Sequence, residues 1–226
     1  MINITSTVEW GAAHPGAAIG LLELSVVENR LPSPELNRRK RAVEARIRQD
    51  YGAFQRADFL ALPVMAAYAQ YYRRFDKTYH VLLQVESIAQ KGKSLPDVSP
   101  LVDANFLAEV DTLVLTAGHD AAQLDEPVCI DVSRAVDAMT LMNGVNRTIL
   151  PGDMVMRDRH GVCCSILYGQ DNRSPITAET SHVLYVAYAP HGVTTGALQE
   201  QLRQIEQNVR LFAPQARLEQ SCLLTA

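Results

Sequence analysis

Three short segments of the 226-residue chain hold side chains whose types could do chemistry. In Leu101-Val102-Asp103-Ala104-Asn105-Phe106, a carboxylate and a carboxamide interrupt an apolar run. Buried polar groups need partners, so Asp103 and Asn105 read either as a cap or turn anchor or as groups that meet a ligand. In Gly118-His119-Asp120, an imidazole beside a carboxylate could orient a water or a ligand. The strand-turn-strand segment Asp153 to Tyr168 carries Asp158, Cys164 and Ser165 as a third place to weigh, its plain reading a hairpin with core-facing cysteines. The common phosphate-cradling glycine loops, the zinc-protease histidine pair and the nucleophile elbow of serine hydrolases are absent. Cysteines 129, 163, 164 and 222 form no Cys-x-x-Cys spacing, so neither a metal site nor a cofactor is expected, and reduced, buried thiols of a cytosolic protein are.

A fourth feature is charge. Residues 30 to 93 hold 13 Lys or Arg and 6 Asp or Glu, a balance of +7, while the remainder holds 8 and 19, a balance of −11. The net −4 therefore conceals a basic segment, densest at Arg38, Arg39, Lys40, Arg41, Arg46 and Arg48. Like charges this close repel unless something neutralises them, so this stretch reads either as a solvated helix face or as a surface facing phosphate.

The elements that must position these residues follow from pattern. At 47% hydrophobic and 20% charged, the chain has the composition of a globular domain, and its length fits one domain over 1–226. Ser33 as N-cap with Pro34 at the first helical position predicts a helix to about Tyr51, near Gly52. A strand is predicted over Ala17 to Val27, and helices over Pro63 to Phe75, His80 to Gln90 (stopped by Gly92) and Leu101 to Glu109. After residue 127, short apolar runs separated by Asn143-Gly144, Pro151-Gly152-Asp153 and His160-Gly161 predict a mostly antiparallel sheet system. Leu198, Leu202, Ile205, Val209 and Phe212 step by helical spacing and place one apolar stripe on a closing helix, Thr195 to Phe212, for packing or for a dimer seam. The fold class expected is α+β, with a helical N-terminal half, a β-sandwich-like centre and a C-terminal helix. The uncharged stretch Phe59 to Tyr72 is too short and polar to span a bilayer, and the first thirty residues lack a secretory pattern; no membrane association is expected.

The candidate segments stand in an order that resembles the B3/B4 domain of the phenylalanyl-tRNA synthetase β subunit, closest to its stand-alone branch. The order runs through Gly92-Lys93-Ser94-Leu95-Pro96, Val102-Asp103-Ala104-Asn105, Gly118-His119-Asp120, Pro151-Gly152-Asp153 with Asp158, and Ile176-Thr177-Ala178-Glu179-Thr180. The resemblance covers about residues 36 to 190. In the synthetase this domain hydrolyses mischarged tyrosyl esters of tRNA. The resemblance implies catalytic roles for Asp103, Asn105 and His119, and substrate-binding roles for Asp120, Cys164, Ser165 and Val186. It also departs from the synthetase. One residue separates Asp103 from Asn105 where the synthetase has two, and Val186 falls where the synthetase places the glutamate that recognises the tyrosine hydroxyl. Loss of that acceptor would remove tyrosine discrimination.

Two functions follow as expectations. The first is a free-standing domain that binds tRNA or aminoacyl-tRNA and hydrolyses mischarged ester in trans, with the basic helix on phosphate. The second is a non-catalytic module that binds an amino acid or another small metabolite. A protein-interaction role, as a homo-oligomer, would rest on the terminal stripe alone. The chain is too short to hold a complete tRNA ligase.

Overall fold

The computed structural model describes residues 1–30 and 32–226. The chain opens with strand β1 (Ile4–Ser6), helix α1 (Val8–Ala13) and strand β2 (Ala18–Ser25). A helical block follows: α2 (Pro34–Tyr51), α3 (Arg56–Ala61), α4 (Pro63–Arg73), α5 (His80–Lys91) and α6 (Pro100–Thr112). Strands β3 (Thr116–Asp120), β4 (Val128–Val132), β5 (Ala138–Thr140), β6 (Asn146–Thr148), β7 (Met154–Asp158), β8 (Gly161–Ser165), β9 (Gly169–Gln170) and β10 (His182–Ala189) form the centre. Helix α7 (Thr195–Arg210) and strand β11 (Arg217–Thr225) complete the described chain.

The strands make a five-stranded sheet, β1-β4-β7-β8-β9, a four-stranded sheet, β11-β2-β10-β3, and the β5-β6 hairpin. All these pairs are antiparallel except β1 with β4. The α+β class and antiparallel centre expected from the sequence are therefore present. Local signals hold where the backbone chemistry is specific. Ser33 Oγ accepts the Leu36 N–H at 3.1 Å with Pro34 starting α2, and Gly92 ends α5 in the left-handed conformation at φ 65°.

Several elements were not legible in the sequence. β1, α1, α3 and β9 are too short to show a period. β3 owes its strand state to its partner β10 rather than to Thr-Ala-Gly-His-Asp itself. The chain also does not close on a helix: β11 returns to the edge of the second sheet and pairs with β2 along its length. Its side chains are mostly exposed, so no burial alternation announces it. Helix α6 runs three residues beyond the expected end, with nine of its 13 residues buried.

The α7 stripe is core. Leu198, Ile205 and Val209 are fully buried, and α7 packs on β2 and α6. Gly20 on β2 lets it approach, since a Cβ there would lie 3.0 Å from Leu198 Cγ. The stripe is consumed inside the chain and offers no dimer seam. None of the helices among the described residues is long and apolar enough to cross a membrane.

Candidate functional site

A cavity of about 480 Å³ opens where α6 meets the facing edges of the two sheets. Helix α6 gives it Val102, Asn105, Phe106 and Glu109. The spacing of three and four residues puts all four on one helix face. β3 contributes Thr116, Ala117 and Gly118, β8 contributes Cys164 and Ser165, and Tyr188 comes from β10. His80 and Gln84 of α5 line one side, with the exposed Val98 and Met142.

The polar groups on this wall have distinct states. Asn105 donates through Nδ2 to the Thr116 carbonyl at 3.0 Å, and its Oδ1 has no partner. Glu109 accepts the Thr116 N–H at 3.0 Å. Burial pushes the Glu109 carboxyl up to about 8, and that one N–H only partly opposes the shift, so the group is protonated at neutral pH. The Tyr188 hydroxyl has no nitrogen or oxygen partner and lies against the Cys164 thiol. Its backbone is held by Tyr68, whose hydroxyl donates to the Tyr188 carbonyl and accepts the Leu115 N–H. Ser165 donates to Asp153, which also accepts from the Tyr71 hydroxyl at 2.7 Å. Burial raises the Asp153 carboxyl to about 7. The Ser165 proton is thus committed. The Cys164 thiol is pushed up to about 12, chiefly by burial, and is no thiolate nucleophile at neutral pH.

Of the residues singled out in the sequence, Asn105, Cys164 and Ser165 line the cavity. The others do not. His119 is fully buried on β3, its Nδ1 2.8 Å from Ser174 Oγ. Desolvation holds its pKa down to about 4, so the ring is neutral. Asp103 accepts from Lys40 at 2.8 Å and from the Val98 N–H at 3.0 Å, which makes it an anchor at the start of α6. Asp120 caps the turn after β3 through Ala122 N–H at 3.0 Å and accepts from Thr180 at 2.8 Å. Val186 is buried beside Ala117 in the sheet and lines no part of the cavity.

The basic segment is largely neutralised from within. Lys40 is fully buried, donating to Asp97, Asp103 and the Pro96 carbonyl, so as placed it cannot meet phosphate. Arg41 and Arg48 share Glu44, Arg46 pairs with Asp111, and Arg38 pairs with Glu35. Arg39 is half-buried and has no carboxylate partner among the described residues. Its pKa is lowered first by burial and then by Arg203 and Arg46. Cys222 is exposed and Cys129 half-buried, so only Cys163 and Cys164 fit the expectation of buried thiols.

Glu109 and Tyr188 were missed in the sequence. The signal for Glu109 was available: it stands one helical turn after Asn105 in a segment already read as a helix. Tyr188 carries no such signal, because only sheet registry turns it toward α6. Among the described residues, no three His, Cys, Asp or Glu side chains group as metal ligands.

Two mostly antiparallel sheets, a helical layer and a cavity at their junction define an α+β domain with an internal cavity. The family model for the B3/4 domain matches residues 65–212, more than half of the chain, and the protein belongs to this family. The match starts later than the resemblance in sequence and runs on through α7. Among solved structures, an N-terminal fragment of the phenylalanyl-tRNA synthetase β subunit from Pyrococcus horikoshii is similar at a TM-score of 0.47 and 7% identity, over 100% of this chain and 57% of that one. The chain thus spans little more than half the length of that fragment. No curated protein matches in sequence.

Proposed function

We propose that the protein is a B3/4 binding module, acting as one domain, whose α6 cavity holds an amino-acid-like small molecule. The observation that carries this reading is the division of the cavity wall. Val102, Phe106, Ala117 and Ile166 give an apolar side, while Asn105, with its Oδ1 unpartnered, the Tyr188 hydroxyl and the protonated Glu109 line the same cavity as its polar groups. A ligand with an apolar body and one hydrogen-bonding end suits that wall, and about 480 Å³ lies within the usual range of ligand pockets. A thermal-shift panel of the amino acids tests it. A ligand that binds only the folded state raises the midpoint, and Ala117→Phe, which fills the cavity, should abolish the rise. A panel that moves no midpoint would remove this reading.

A second reading has support in Glu109 itself. An acid with a pKa near 8 beside Asn105 suits general acid–base hydrolysis of an aminoacyl ester. On that reading the substrate is aminoacyl-tRNA, with the exposed Arg38 and Arg46 and the half-buried Arg39 nearest to phosphate. A screen of misacylated tRNAs tests it: some ester should be deacylated above background, and Glu109→Gln should slow that step. Only background hydrolysis throughout the screen would end it.

A further inference from the structure

A second cavity, about 320 Å³, shares no residue with the first. Its walls are Ala13, His14 and Pro15 between α1 and β2, the last turns of α4 with Gln70, Tyr71 and Arg74, and the connection after β10 with Pro190 and His191. No Asp or Glu lines it.

The Arg74 guanidinium lies 5.5 Å from the ring centroids of both Tyr71 and Phe75. It forms no ion pair with a carboxylate among the described residues. Stacking on aromatic faces leaves the in-plane N–H groups of a guanidinium available to an acceptor. His14 is 5% exposed, packs on the Tyr71 ring at 5.9 Å, and its Nε2 has no hydrogen-bond partner. His191 is brought in by the backbone opposite. Gly16 has φ +77°, and a Cβ there would lie 2.6 Å from His191 Nδ1, so only glycine admits this approach. The cavity therefore gathers one unmatched positive charge and two imidazoles, with no acid to satisfy them.

We propose that this second cavity binds a small molecule through an oxyanion, a carboxylate or a phosphate, gripped by the Arg74 guanidinium and the His14 and His191 rings. The volume lies at the small end of ligand pockets, which suits a compact anion with a short organic body. The state of His14 agrees. Its pKa is held down to about 4 by burial first and by the Arg74 charge second. A bound anion opposes that second cause and would return the ring toward its ordinary value. The Tyr71 ring lines this cavity and its hydroxyl reaches Asp153, which accepts from Ser165 in the wall of the first, so the two sites touch one buried network.

Ring-proton NMR of His14 and His191 tests the assignment. The full chain is titrated with inorganic phosphate and, separately, with acetate, at ionic strength held constant with sodium chloride. The expected result is a saturable shift of both rings with at least one oxyanion, and an upward move of the His14 titration midpoint; whichever arm saturates first names the group. Arg74→Gln should weaken the binding by about tenfold, the loss of a charged hydrogen bond. His191→Ala, at an exposed position where folding is safe, should weaken it too, while Ala117→Phe in the first cavity should leave it unchanged. Absence of a saturable shift with either anion, a shift equal to that of chloride alone, or unchanged affinity in His191→Ala would each overturn the proposal.

Discussion

The Lys40 ammonium donates to the Asp103 carboxylate across 2.8 Å, so a cation expected on phosphate and a carboxylate expected in catalysis are partners of each other. Lys40 is fully buried and Asp103 is 5% exposed. Their pairing joins α2 to the start of α6, the helix that carries Asn105 and Glu109 into the cavity.

Breaking this pair should cost more than the pair itself contributes. Lys40→Ala leaves a carboxylate without its cation in the interior, a change expected to destabilise by about 3 kcal/mol. Urea denaturation should show that loss, and the double variant Lys40→Met with Asp103→Leu should recover much of it. A loss below about 1 kcal/mol for the single variant, the range of an exposed pair, would mean the pair is wetter than its burial indicates.

Glu109 should make stability fall as pH rises. Its ordinary pKa is 4.5 and its folded value is about 8. Below about 4.5 both states hold the proton and the contribution is complete. Between the two values the folded chain keeps a proton that the unfolded chain has released, so stability declines and then levels off above about 8. Asp153, raised from 3.8 to about 7, adds a decline of the same sign at lower pH. Glu109→Gln should flatten the upper part of this profile in denaturation curves taken from pH 5 to about pH 8. An unaltered slope would show that Glu109 is ionised in the folded chain.

Thiol labelling should separate the cysteines by burial. Cys222 is exposed on β11, and mass spectrometry after brief treatment of the native protein should find it modified first. Cys163 and Cys164 are buried with thiols raised by desolvation, and should react only on unfolding. Early modification at Cys164 would mean that the cavity admits the reagent and that the thiol is more acidic than its surroundings imply.

Gly20→Ala should loosen α7. The added methyl meets Leu198 Cγ at 3.0 Å and Leu202 Cδ1 at 3.2 Å, an overpacking worth about 1–3 kcal/mol. Leu198→Ala in the same chain should restore part of the fit, so the two changes together should cost less than their separate sum.

Helices α2, α4, α5 and α7 could be read from the chain because their caps and apolar spacing are local, as Ser33-Pro34 and Gly92 illustrate. The antiparallel centre could be read from its turns. Strand β11 could not, because its partner β2 lies about 200 residues earlier in the chain. The candidate site divides in the same way. Asn105 stands out as a carboxamide in an apolar segment, and the family resemblance points to Cys164 and Ser165. Glu109 and Tyr188 joined them only through packing.

The sequence by itself determined which residues could carry charge or accept a proton, where most helices begin and end, and the family pattern that the B3/4 match bears out. It could not determine which of those residues face one another. Six cations crowded on one helix look like a surface for an external anion. Arg38, Arg41 and Arg48 meet Glu35 and Glu44 of the same helix, but the acids that answer Lys40 and Arg46, namely Asp97, Asp103 and Asp111, lie more than fifty positions on. Tertiary structure also turned His119 inward and left Glu109 at a cavity wall. The physical reason is that charge partners and dielectric surroundings are set by distance in space, and sequence order fixes that distance only within a helical turn or a strand pair.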